Sequence, residues 1–380
     1  MAEWIFWVGV GAMVFAYFGY PVVVVVLSWF IRNDVQKDDM IEPNVTFLVT
    51  AYNEEKNIRR KIEDTLGLDY PKEKLEIIVA SDGSTDRTDE IVKEFSNQGV
   101  VLVRVEGRIG KTETQNQALR KASGDIVIFS DATTQYRKDA IRNLVRNYND
   151  SSVGAVTGRY DYRNPTGASV GLGTILFWKY ENFIKSRQTR IKTVTGCCGC
   201  IYSVRKELYV SLPRDIISDL VEPLKILEKG YRIAFEPDAV AYEAAEENPE
   251  DEFSMRVRVI TRGMNGLLYV RQLLNPIRYP FVAFQLMSHK VLRWLVPLFL
   301  LSLLASNVGM LDRRLYQLTF LGQVSFYGSA IAAWVLEKHG RRVKLLFLPL
   351  YFCVVNVASV VAMINVLRGR KMAVWETVRR

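Results

Sequence analysis

Four long uncharged segments constrain most strongly how this chain can fold. They cover residues 4–31, 294–311, 315–336 and 345–367 and are 28, 18, 22 and 23 residues long. An α-helix needs about 20 apolar residues to cross the hydrocarbon core of a bilayer. The sequence therefore predicts one transmembrane helix within residues 1–31 and three within residues 291–367, which makes the chain an integral protein of a cell membrane.

Between the first and second of these segments, short apolar runs alternate with amphipathic stretches. The expected strands cover residues 45–49, 75–80, 100–105 and 126–129, and the expected helices cover residues 56–66, 85–95, 112–122, 138–148 and 219–228. Such alternation is typical of an α/β domain with a mostly parallel sheet. The sequence thus predicts an α/β domain over residues 44–250, which a polar linker over residues 32–43 joins to the first helix.

Residues 251–290 mix basic and apolar side chains as helices at a membrane surface do. One such helix is expected within residues 254–272, and a second, apolar and aromatic, within residues 279–287. Ordinary packing against the α/β domain explains the same pattern equally well. A basic tail is expected over residues 368–380.

The net charge of +9 fits lysine and arginine residues that flank membrane segments, as the positive-inside rule describes. A nucleic-acid site would show a basic patch or stripe, and no such stripe with interleaved aromatic residues is present. We therefore expect a lipid bilayer and no nucleic acid among the partners, and the sequence predicts no particular oligomeric state.

Acidic residues follow three of the expected strands. Glu54 and Glu55 come after the first strand, Asp82 after the second and Asp131 after the fourth. Ligands of open α/β sheets bind at the carboxyl ends of the strands. These side chains can therefore accept a base N–H or a ribose hydroxyl, or hold a cation. Asp82 also fits the start of the following helix, where it would only cap the backbone.

Asp131 is the best candidate for a metal ligand, because Mg²⁺ usually binds through one or two carboxylates together with phosphates. A metal there would neutralise a diphosphate leaving group. Lys111, at the start of an expected helix, either contacts phosphate or is an ordinary surface lysine. Asp219 opens another expected helix, and its carboxylate either takes a proton from an attacking hydroxyl or caps that helix.

The order of the motifs resembles that of membrane-bound family 2 glycosyltransferases, which include the cellulose and hyaluronan synthases. The motifs are Thr50-Ala51-Tyr52-Asn53-Glu54-Glu55, Ser81-Asp82-Gly83-Ser84-Thr85-Asp86, Gly110-Lys111 with Asn116, Phe129-Ser130-Asp131-Ala132, Thr195-Gly196 to Arg205, and Ser218-Asp219 ahead of Gly230-Tyr231-Arg232. The resemblance runs from residue 44 to about residue 271. It implies an α/β domain of the GT-A fold, a nucleotide-diphospho-sugar transferase, with flanking transmembrane helices.

The resemblance also implies an activity, a cofactor and a set of site residues. An inverting enzyme of this kind moves a sugar from a nucleotide-diphosphate sugar, usually a uridine diphosphate sugar, to a lipid-linked or polysaccharide acceptor at the membrane. Its catalytic domain is cytoplasmic and its cofactor is Mg²⁺ or Mn²⁺. Asp219 would be the catalytic base and Asp131 the metal ligand. The donor would be bound by Ala51, Tyr52, Glu54, Asp82, Lys111, Asp131 and Arg258, and the acceptor by Trp178, Glu181, Gly196, Cys197 and Cys198.

Two departures from the family pattern bear on the metal and the product. Thr133 stands where the second carboxylate of the family's Asp-x-Asp motif is expected. Met255 and Val259 replace the Gln and Trp of the Gln-x-x-Arg-Trp motif of processive synthases, of which only Arg258 remains. Transfer of one or a few sugars is the leading interpretation. A processive polysaccharide synthase that translocates its product is the alternative, and a non-catalytic nucleotide-binding scaffold or transporter is an alternative of another class.

The charges leave the membrane topology open. With a cytoplasmic α/β domain, three further spans would leave the C-terminus on the opposite side of the membrane. The basic residues near the C-terminus favour the cytoplasm instead; they are Arg368, Arg370, Lys371, Arg379 and Arg380. Either one C-terminal segment does not fully cross, or the first helix and the large domain set the orientation.

Overall fold

The computed structural model describes residues 1–164, 167–246, 248–341 and 343–372. Its centre is an eight-stranded sheet with the strand order β3-β2-β1-β4-β7-β6-β8-β5. The strands are β1 Val45–Ala51, β2 Leu75–Ser81, β3 Val100–Arg104, β4 Ile126–Asp131, β5 Gln135–Tyr136, β6 Val153–Arg163, β7 Tyr202–Arg205 and β8 Arg232–Ala244.

Helices cover the sheet and continue into an apolar bundle. In the described part of the chain they are α1 Ala2–Val14, α2 Tyr20–Phe30, α3 Ile58–Leu66, α4 Thr88–Lys93, α5 Lys111–Leu119, α6 Ala140–Val145, α7 Ser169–Ile191, α8 Ser218–Glu228, α9 Pro249–Tyr269, α10 Pro280–Leu286, α11 Leu292–Val308, α12 Arg314–Lys338 and α13 Phe347–Leu367. The helices expected within the α/β domain are all present, several with shorter bounds.

The sheet has a parallel half and a mixed half. β1 runs parallel to both of its neighbours, β2 and β4, and β3 extends this half beyond β2. β7 enters between β4 and β6 from the opposite end and is antiparallel to both, whereas β6 and β8 are parallel. The expectation of a mostly parallel sheet is therefore confirmed for β1 to β4 and is wrong for the half built from β5 to β8.

Two apolar cores bury the two faces of the sheet. Phe47 packs with Ile62 of α3 on one face. Leu48 and Phe129 pack with Leu224 of α8 on the other face. Strands that are buried on both faces have continuous apolar sequences, which explains why the parallel strands were predictable. Their carboxyl ends meet at one edge, because Ala51 lies opposite Ser81 and the neighbouring Thr50 lies opposite Asp131.

Four helices are long and apolar enough to cross a membrane, and each overlaps one of the four uncharged segments. They are Ala2–Phe30, Pro280–Val308, Arg314–Lys338 and Lys344–Leu367. A π-helical turn at Phe15–Gly19 joins α1 to α2, and another at Met287–Val291 joins α10 to α11.

The second interfacial helix, expected within residues 279–287, differs from the structure. It is the first part of the continuous helix Pro280–Val308, because no proline or glycine interrupts residues 281–296. The expected boundary between residues 290 and 291 therefore falls inside a helix. The first interfacial helix, expected within residues 254–272, corresponds to α9.

The last apolar helix, α13, contacts the α/β domain at both of its ends. Near its start, Leu350 packs with Val170 at the beginning of α7. Just beyond its end, Lys371 forms an ion pair with Asp215 at 2.8 Å. By contrast, α12 begins at the far end of the bundle, where Arg313 forms an ion pair with Glu3 at 3.1 Å. Residues 373–380 of the expected basic tail lie outside the described residues.

Candidate active site

The first two motif loops are held together at the carboxyl edge of the sheet. Asn53 has a left-handed backbone conformation with a φ of 52°, which asparagine adopts more readily than most residues. Its side-chain oxygen accepts the N–H of Thr85 at 2.8 Å. The N–H of Glu54 donates to the Thr88 hydroxyl at 2.7 Å. The loops after β1 and β2 therefore form one rigid surface.

Asp82 is fully buried and organises the loop that precedes α5. Its carboxylate accepts the N–H of Ile109 at 2.8 Å, the N–H of Gly110 at 3.1 Å and the Thr114 hydroxyl at 3.0 Å. Asp82 does not cap the helix that follows its own motif, so the simple capping interpretation is wrong. Direct contact between Asp82 and a nucleotide stays a prediction, since in this conformation its oxygens face the loop.

Three of the residues predicted to bind the nucleotide sugar come from the first motif and lie at the same edge of the sheet. Ala51 is buried in β1 and its carbonyl accepts the Asp82 N–H at 2.9 Å. The Tyr52 ring lies beneath the Arg108 guanidinium, 4.2 Å from ring centroid to Cζ. The Glu54 carboxylate accepts a hydrogen bond from the Asn57 side chain at 2.8 Å. Their contact with a nucleotide stays a prediction.

Lys111 and Asp131 form an ion pair at the centre of the edge. Lys111 is the first residue of α5, and Asp131 is the last residue of β4. Burial opposes the charged form of Lys111, yet the Asp131 and Asp219 carboxylates raise its pKa above the ordinary value. Lys111 is therefore a charged part of the site and not an ordinary surface lysine.

Asp131 is a suitable but incomplete metal site. Its side chain is 36% exposed, so it is open to a ligand from solvent. No group of three or more His, Cys, Asp or Glu side chains gathers around a possible metal position in the described part of the chain. Mg²⁺ and Mn²⁺ accept such sites when substrate phosphates complete their coordination. The residues present thus fit a divalent cation that binds together with the donor.

The sequence interpretation missed Glu243, which approaches Asp131's turn from β8. The Thr133 hydroxyl donates to Glu243 Oε1 at 2.5 Å, and the Tyr160 hydroxyl donates to Oε2. A carboxylate from a distant strand therefore contacts the residue that replaces the second aspartate of the motif. Its separation from Thr133 by 110 residues left no signal in the sequence.

A buried lysine supports the same turn and was also missed. Lys61 of α3 is 3% exposed, and its ammonium group donates to the Thr134 carbonyl at 2.6 Å. The ammonium group lies over the rings of Phe47 and Tyr136. Burial lowers the pKa of Lys61 to about 7, and the opposing charge of Asp131 limits the decrease. Lys61 therefore holds the backbone that follows Asp131.

Asp219 lies in the first turn of α8, against the loop at residues 196–200. Its carbonyl accepts the Cys197 N–H at 3.0 Å. A Cβ atom on Gly199 would collide with Asp219 Oδ2 and would lie 3.1 Å from Cγ. The N-cap of α8 is Ile217, and no side chain caps the helix. The carboxylate of Asp219 is therefore available for chemistry and does not serve the helix terminus.

Burial raises the pKa of Asp219 above the ordinary value for aspartate. The positive charges of Lys111 and Arg262 oppose this increase, and the negative charge of Asp131 adds to it. A carboxylate with a raised pKa is a stronger base than an ordinary one, which suits proton removal from a hydroxyl.

The predicted acceptor residues lie in α7 and in the loop at residues 196–200. Trp178 packs edge-on against Tyr160, with ring centroids 5.1 Å apart. Gly196 has a φ of 153°, and the Cys198 N–H donates to the Thr157 hydroxyl at 3.0 Å. The loop at residues 196–200 forms a wall next to Asp219.

Glu181 joins α7 to the helix Pro280–Val308. Its Oε1 contacts His289 Nε2 at 3.1 Å and Arg293 at 2.5 Å. The His289 ring stacks on Tyr20 of α2, with centroids 5.1 Å apart. This cluster ties three helices together, so the contacts of Glu181 in this structure are those of a positioning residue; its contact with an acceptor stays a prediction.

Arg258, the last predicted donor residue, is half-buried on α9. Its neighbour Arg262 is 7% exposed and donates to the Ile216 carbonyl at 3.0 Å. The two guanidinium groups repel each other electrostatically. Two arginines of α9 thus bring positive charge to the start of α8. Of the two, only Arg258 was predicted from the sequence as a site residue.

The fold and the motif order match known proteins. Residues 46–211 match the family model described as Glycosyl transferase family 2. The chain is 31% identical over 243 residues to the poly-beta-1,6-N-acetyl-D-glucosamine synthase of Staphylococcus aureus (strain COL), covering 62% of this chain and 58% of that protein. It is 29% identical over 242 residues to the probable glycosyltransferase YdaM of Bacillus subtilis (strain 168), covering 60% and 56%. The matches thus span less than two thirds of these relatives.

A solved structure has the same overall architecture. It is the mannosyltransferase PcManGT from Pyrobaculum calidifontis in complex with GDP-Man and Mn²⁺, with a TM-score of 0.73 and 22% identity. The superposition covers 98% of this chain and 100% of that chain, which supports the fold of the sheet and of the apolar helices together. Residues 46–211 therefore form a glycosyltransferase family 2 domain with the GT-A fold, and polysaccharide synthases are among the relatives of the chain.

Proposed function

We propose that this chain transfers a sugar from a nucleotide-diphosphate sugar to an acceptor hydroxyl at the membrane surface, with inversion at the anomeric carbon. The observation that carries the proposal is the position of Asp219. Its carboxylate interacts with Lys111, Asp131 and Arg262 at the edge of the sheet, and with Lys290 of the apolar helix Pro280–Val308. A base in this position can serve a donor that binds at the sheet and an acceptor that arrives from the membrane.

The chemistry follows from these positions. The Asp219 carboxylate removes the proton of the acceptor hydroxyl as its oxygen attacks the anomeric carbon. The bond from that carbon to the diphosphate breaks on the opposite face, which inverts the configuration. The Lys111 ammonium balances negative charge on the leaving diphosphate. A divalent cation held by Asp131 and the donor phosphates would add to this neutralisation.

The comparisons support a choice of donors for testing but not a single one. The Staphylococcus aureus relative is named for a polymer of N-acetyl-D-glucosamine, and the PcManGT structure contains GDP-mannose. We infer that the donor is one of the two classes these names represent, a uridine or a guanosine diphosphate sugar. The cation is Mg²⁺ or Mn²⁺, and Mn²⁺ is present in the PcManGT complex.

An apolar groove supports an acceptor that is attached to a lipid. The groove has a volume of about 810 Å³ and lies among α9, α11, α12 and α13. Its walls include Phe253, Leu304, Trp334 and Phe352. Hydrophobic and aromatic walls of this size suit a hydrocarbon chain. In this proposal the groove holds the lipid tail while the attached sugar reaches Asp219.

The contacts of α13 support one of the two topologies left open by the charges. Both ends of α13 lie against the α/β domain, at Leu350 and beyond Leu367 at Lys371. We infer that α13 lies along the cytoplasmic side of the bilayer and that the other three apolar helices cross it. The α/β domain and the basic residues after α13 are then both cytoplasmic, in agreement with the positive-inside rule.

The decisive experiment uses the full chain purified in detergent. Radiolabelled UDP-N-acetylglucosamine, other uridine diphosphate sugars and GDP-mannose are each supplied with lipid extracts, and release of nucleoside diphosphate and labelled lipid is measured. The proposal expects one donor to support transfer that Asp219→Asn removes. Asp64→Asn, at a 43% exposed aspartate of α3, is the matched control and should be unaffected. Donor-independent activity, or full activity of Asp219→Asn, would refute the proposal.

The same assay separates the alternative functions. A nucleotide-binding scaffold would bind a donor without releasing nucleoside diphosphate, and it would not depend on Asp219. A processive polysaccharide synthase would show the same Asp219 dependence but would build long products. The name of the Staphylococcus aureus relative favours this second alternative, whereas the absence of the Gln and Trp of the processive motif, at Met255 and Val259, opposes it.

A further inference from the structure

Two lysine ammonium groups lie beside Asp219 on the side that faces the apolar helices. Lys185 extends from α7 and is 8% exposed. Lys290 lies in the π-helical turn between α10 and α11 and is half-buried. The Glu181 and Asp219 carboxylates attract Lys290, and Lys185 repels it. The side chains of Lys185, Lys290 and Asp219 therefore lie around one region, which is called the lysine region below.

The predicted acceptor residues form the walls of the lysine region. A Cβ atom on Gly196 would lie 3.7 Å from the Lys290 ammonium nitrogen. The Lys185 ammonium nitrogen lies 5.1 Å from the centroid of the Trp178 ring. Cys197 follows Gly196 and donates its N–H to the Asp219 carbonyl. The wall at Gly196 therefore adjoins α8, the helix that carries Asp219.

Neither ammonium group has a hydrogen bond or an ion pair with any residue that the structure describes, although the neighbouring cations do. Lys111 pairs with Asp131, and Arg293 pairs with Glu181. Glu181 Oε1 forms its contacts with Arg293 and His289 and not with either lysine.

The two ammonium groups come from two different helices, and their like charges repel each other. A ligand with negative charge between them would offset this repulsion. The proposed donor diphosphate has its own cation in Lys111, which pairs with Asp131 at the end of β4.

We propose that Lys185 and Lys290 bind a phosphate group of the acceptor, next to the sugar hydroxyl that attacks the donor. The inference rests on the proposed function and narrows its acceptor to a lipid that carries a phosphate or diphosphate. A diphosphate that links a sugar to a lipid has two negative charges, which match two ammonium groups, and a single linking phosphate has one; lysine binds phosphate as a point charge. Lys290 belongs to the candidate membrane helix Pro280–Val308 and lies in its domain-side half, where a lipid phosphate can reach it.

The phosphate of the acceptor takes no part in bond formation. The hydroxyl proton passes to Asp219, the hydroxyl oxygen bonds to the anomeric carbon, and the nucleoside diphosphate leaves with the electron pair of the broken bond. The two lysines act only by holding the acceptor, so their loss should raise KM for a phosphate-bearing acceptor more than it lowers kcat.

The test compares acceptors that differ only in charge. The same sugar is attached to the same alkyl chain either through a phosphate or directly as a neutral glycoside, and transfer is measured with Lys185→Met, Lys290→Met and the double variant. Methionine keeps the length and the apolar stem of lysine. Lys179→Met, at an exposed lysine of the same helix α7, is the matched control.

We expect each single variant to raise KM for the phosphate-bearing acceptor roughly 10- to 100-fold, as for the loss of a charged hydrogen bond. Transfer to the neutral glycoside should be retained in Lys185→Met and should change less than transfer to the phosphate-bearing acceptor in Lys290→Met, which also interacts with Asp219. Retained transfer also shows that the variants fold. Equal effects on both acceptors, or no effect on either, would overturn the proposal.

A binding measurement keeps this inference separate from the proposed function. Farnesyl phosphate and farnesol are titrated calorimetrically against the full chain without any donor. The inference expects farnesyl phosphate to bind more tightly than farnesol to the wild-type chain, and the double variant to lose this preference. If the preference is present but no donor supports transfer, the proposed function fails and the phosphate site stands. If transfer occurs and the preference is absent, the phosphate site is refuted alone.

Discussion

The carboxylate of Asp219 lies directly against the backbone of Gly199, so closely that a Cβ atom at position 199 would collide with Oδ2. The contact crosses from the loop after α7 to the start of α8, and the hydrogen bond from Cys197 N–H to the Asp219 carbonyl at 3.0 Å reinforces it. The glycine thus sets the position of the carboxylate, because no larger residue leaves room for it.

The first prediction concerns this contact. Gly199→Ala should displace the Asp219 carboxylate and lower kcat by about 10²-fold, the loss that a small misplacement of a reacting group can produce. The KM for the donor should change little, since the donor residues lie at the sheet. Gly322→Ala is the control, because a Cβ atom there meets nothing within 4 Å. Steady-state kinetics of both variants would decide, and normal turnover of Gly199→Ala would contradict the close approach.

The second prediction concerns Asp219 as a base. Asp219→Asn should lower kcat by about 10²- to 10⁴-fold, the usual effect of removing a general base, while nucleotide binding stays nearly intact. Transfer rates and donor titrations of the variant test this. Near-normal turnover would remove Asp219 from the mechanism.

The third prediction is a pH dependence with a definite sign. A general base works only when it is ionised, so kcat/KM should fall as pH decreases through the pKa of Asp219. Burial raises this pKa. The decrease should therefore begin at a higher pH than for an ordinary aspartate, whose pKa is about 3.9. A pH profile of kcat/KM measures the acidic limb, and a limb at or below the ordinary value would contradict the burial of the base.

The fourth prediction concerns the metal. Activity should require Mg²⁺ or Mn²⁺, and Asp131→Ala should remove the response to added metal. Glu243→Gln should weaken Mn²⁺ binding in the presence of a nucleoside diphosphate roughly tenfold, because Glu243 contacts Thr133 in the same turn at 2.5 Å. Isothermal titration measures the affinity, with Glu207→Gln at an exposed glutamate as the control. Full activity in a chelator would exclude a metal requirement.

The sequence predicted the parts of the fold whose signals are local. β1 to β4 were identified because each is a short apolar run, and the four uncharged segments correspond to the four candidate membrane helices. β5, β6, β7 and β8 were not identified as elements. β6 and β8 end in charged and tyrosine residues such as Arg163 and Tyr242, which hide the apolar alternation of a strand.

The residues of the candidate site were likewise predictable only where the sequence carries a local signal. Lys111, Asp131 and Asp219 converge as the motif order implied. Glu243 and Lys61 could not be found, because each reaches the turn after Asp131 through contacts that span 110 and 73 residues of sequence. The burial of Asp82 under the loop before α5 was equally invisible, since it depends on three donors that lie 27 to 32 residues away.

The last prediction concerns the length of the product. Met255 and Val259 of α9 replace the Gln and Trp that accompany Arg258 in processive synthases. Val259 is 39% exposed, and a valine there lacks the flat ring on which a sugar can stack. In the proposed topology three helices cross the membrane, and such a bundle offers little room for a channel. We therefore expect one or a few sugars to be added per acceptor. Size analysis of the labelled product under excess donor should give a narrow distribution of low mass, and a polymer of high mass made by the purified chain alone would favour the processive alternative.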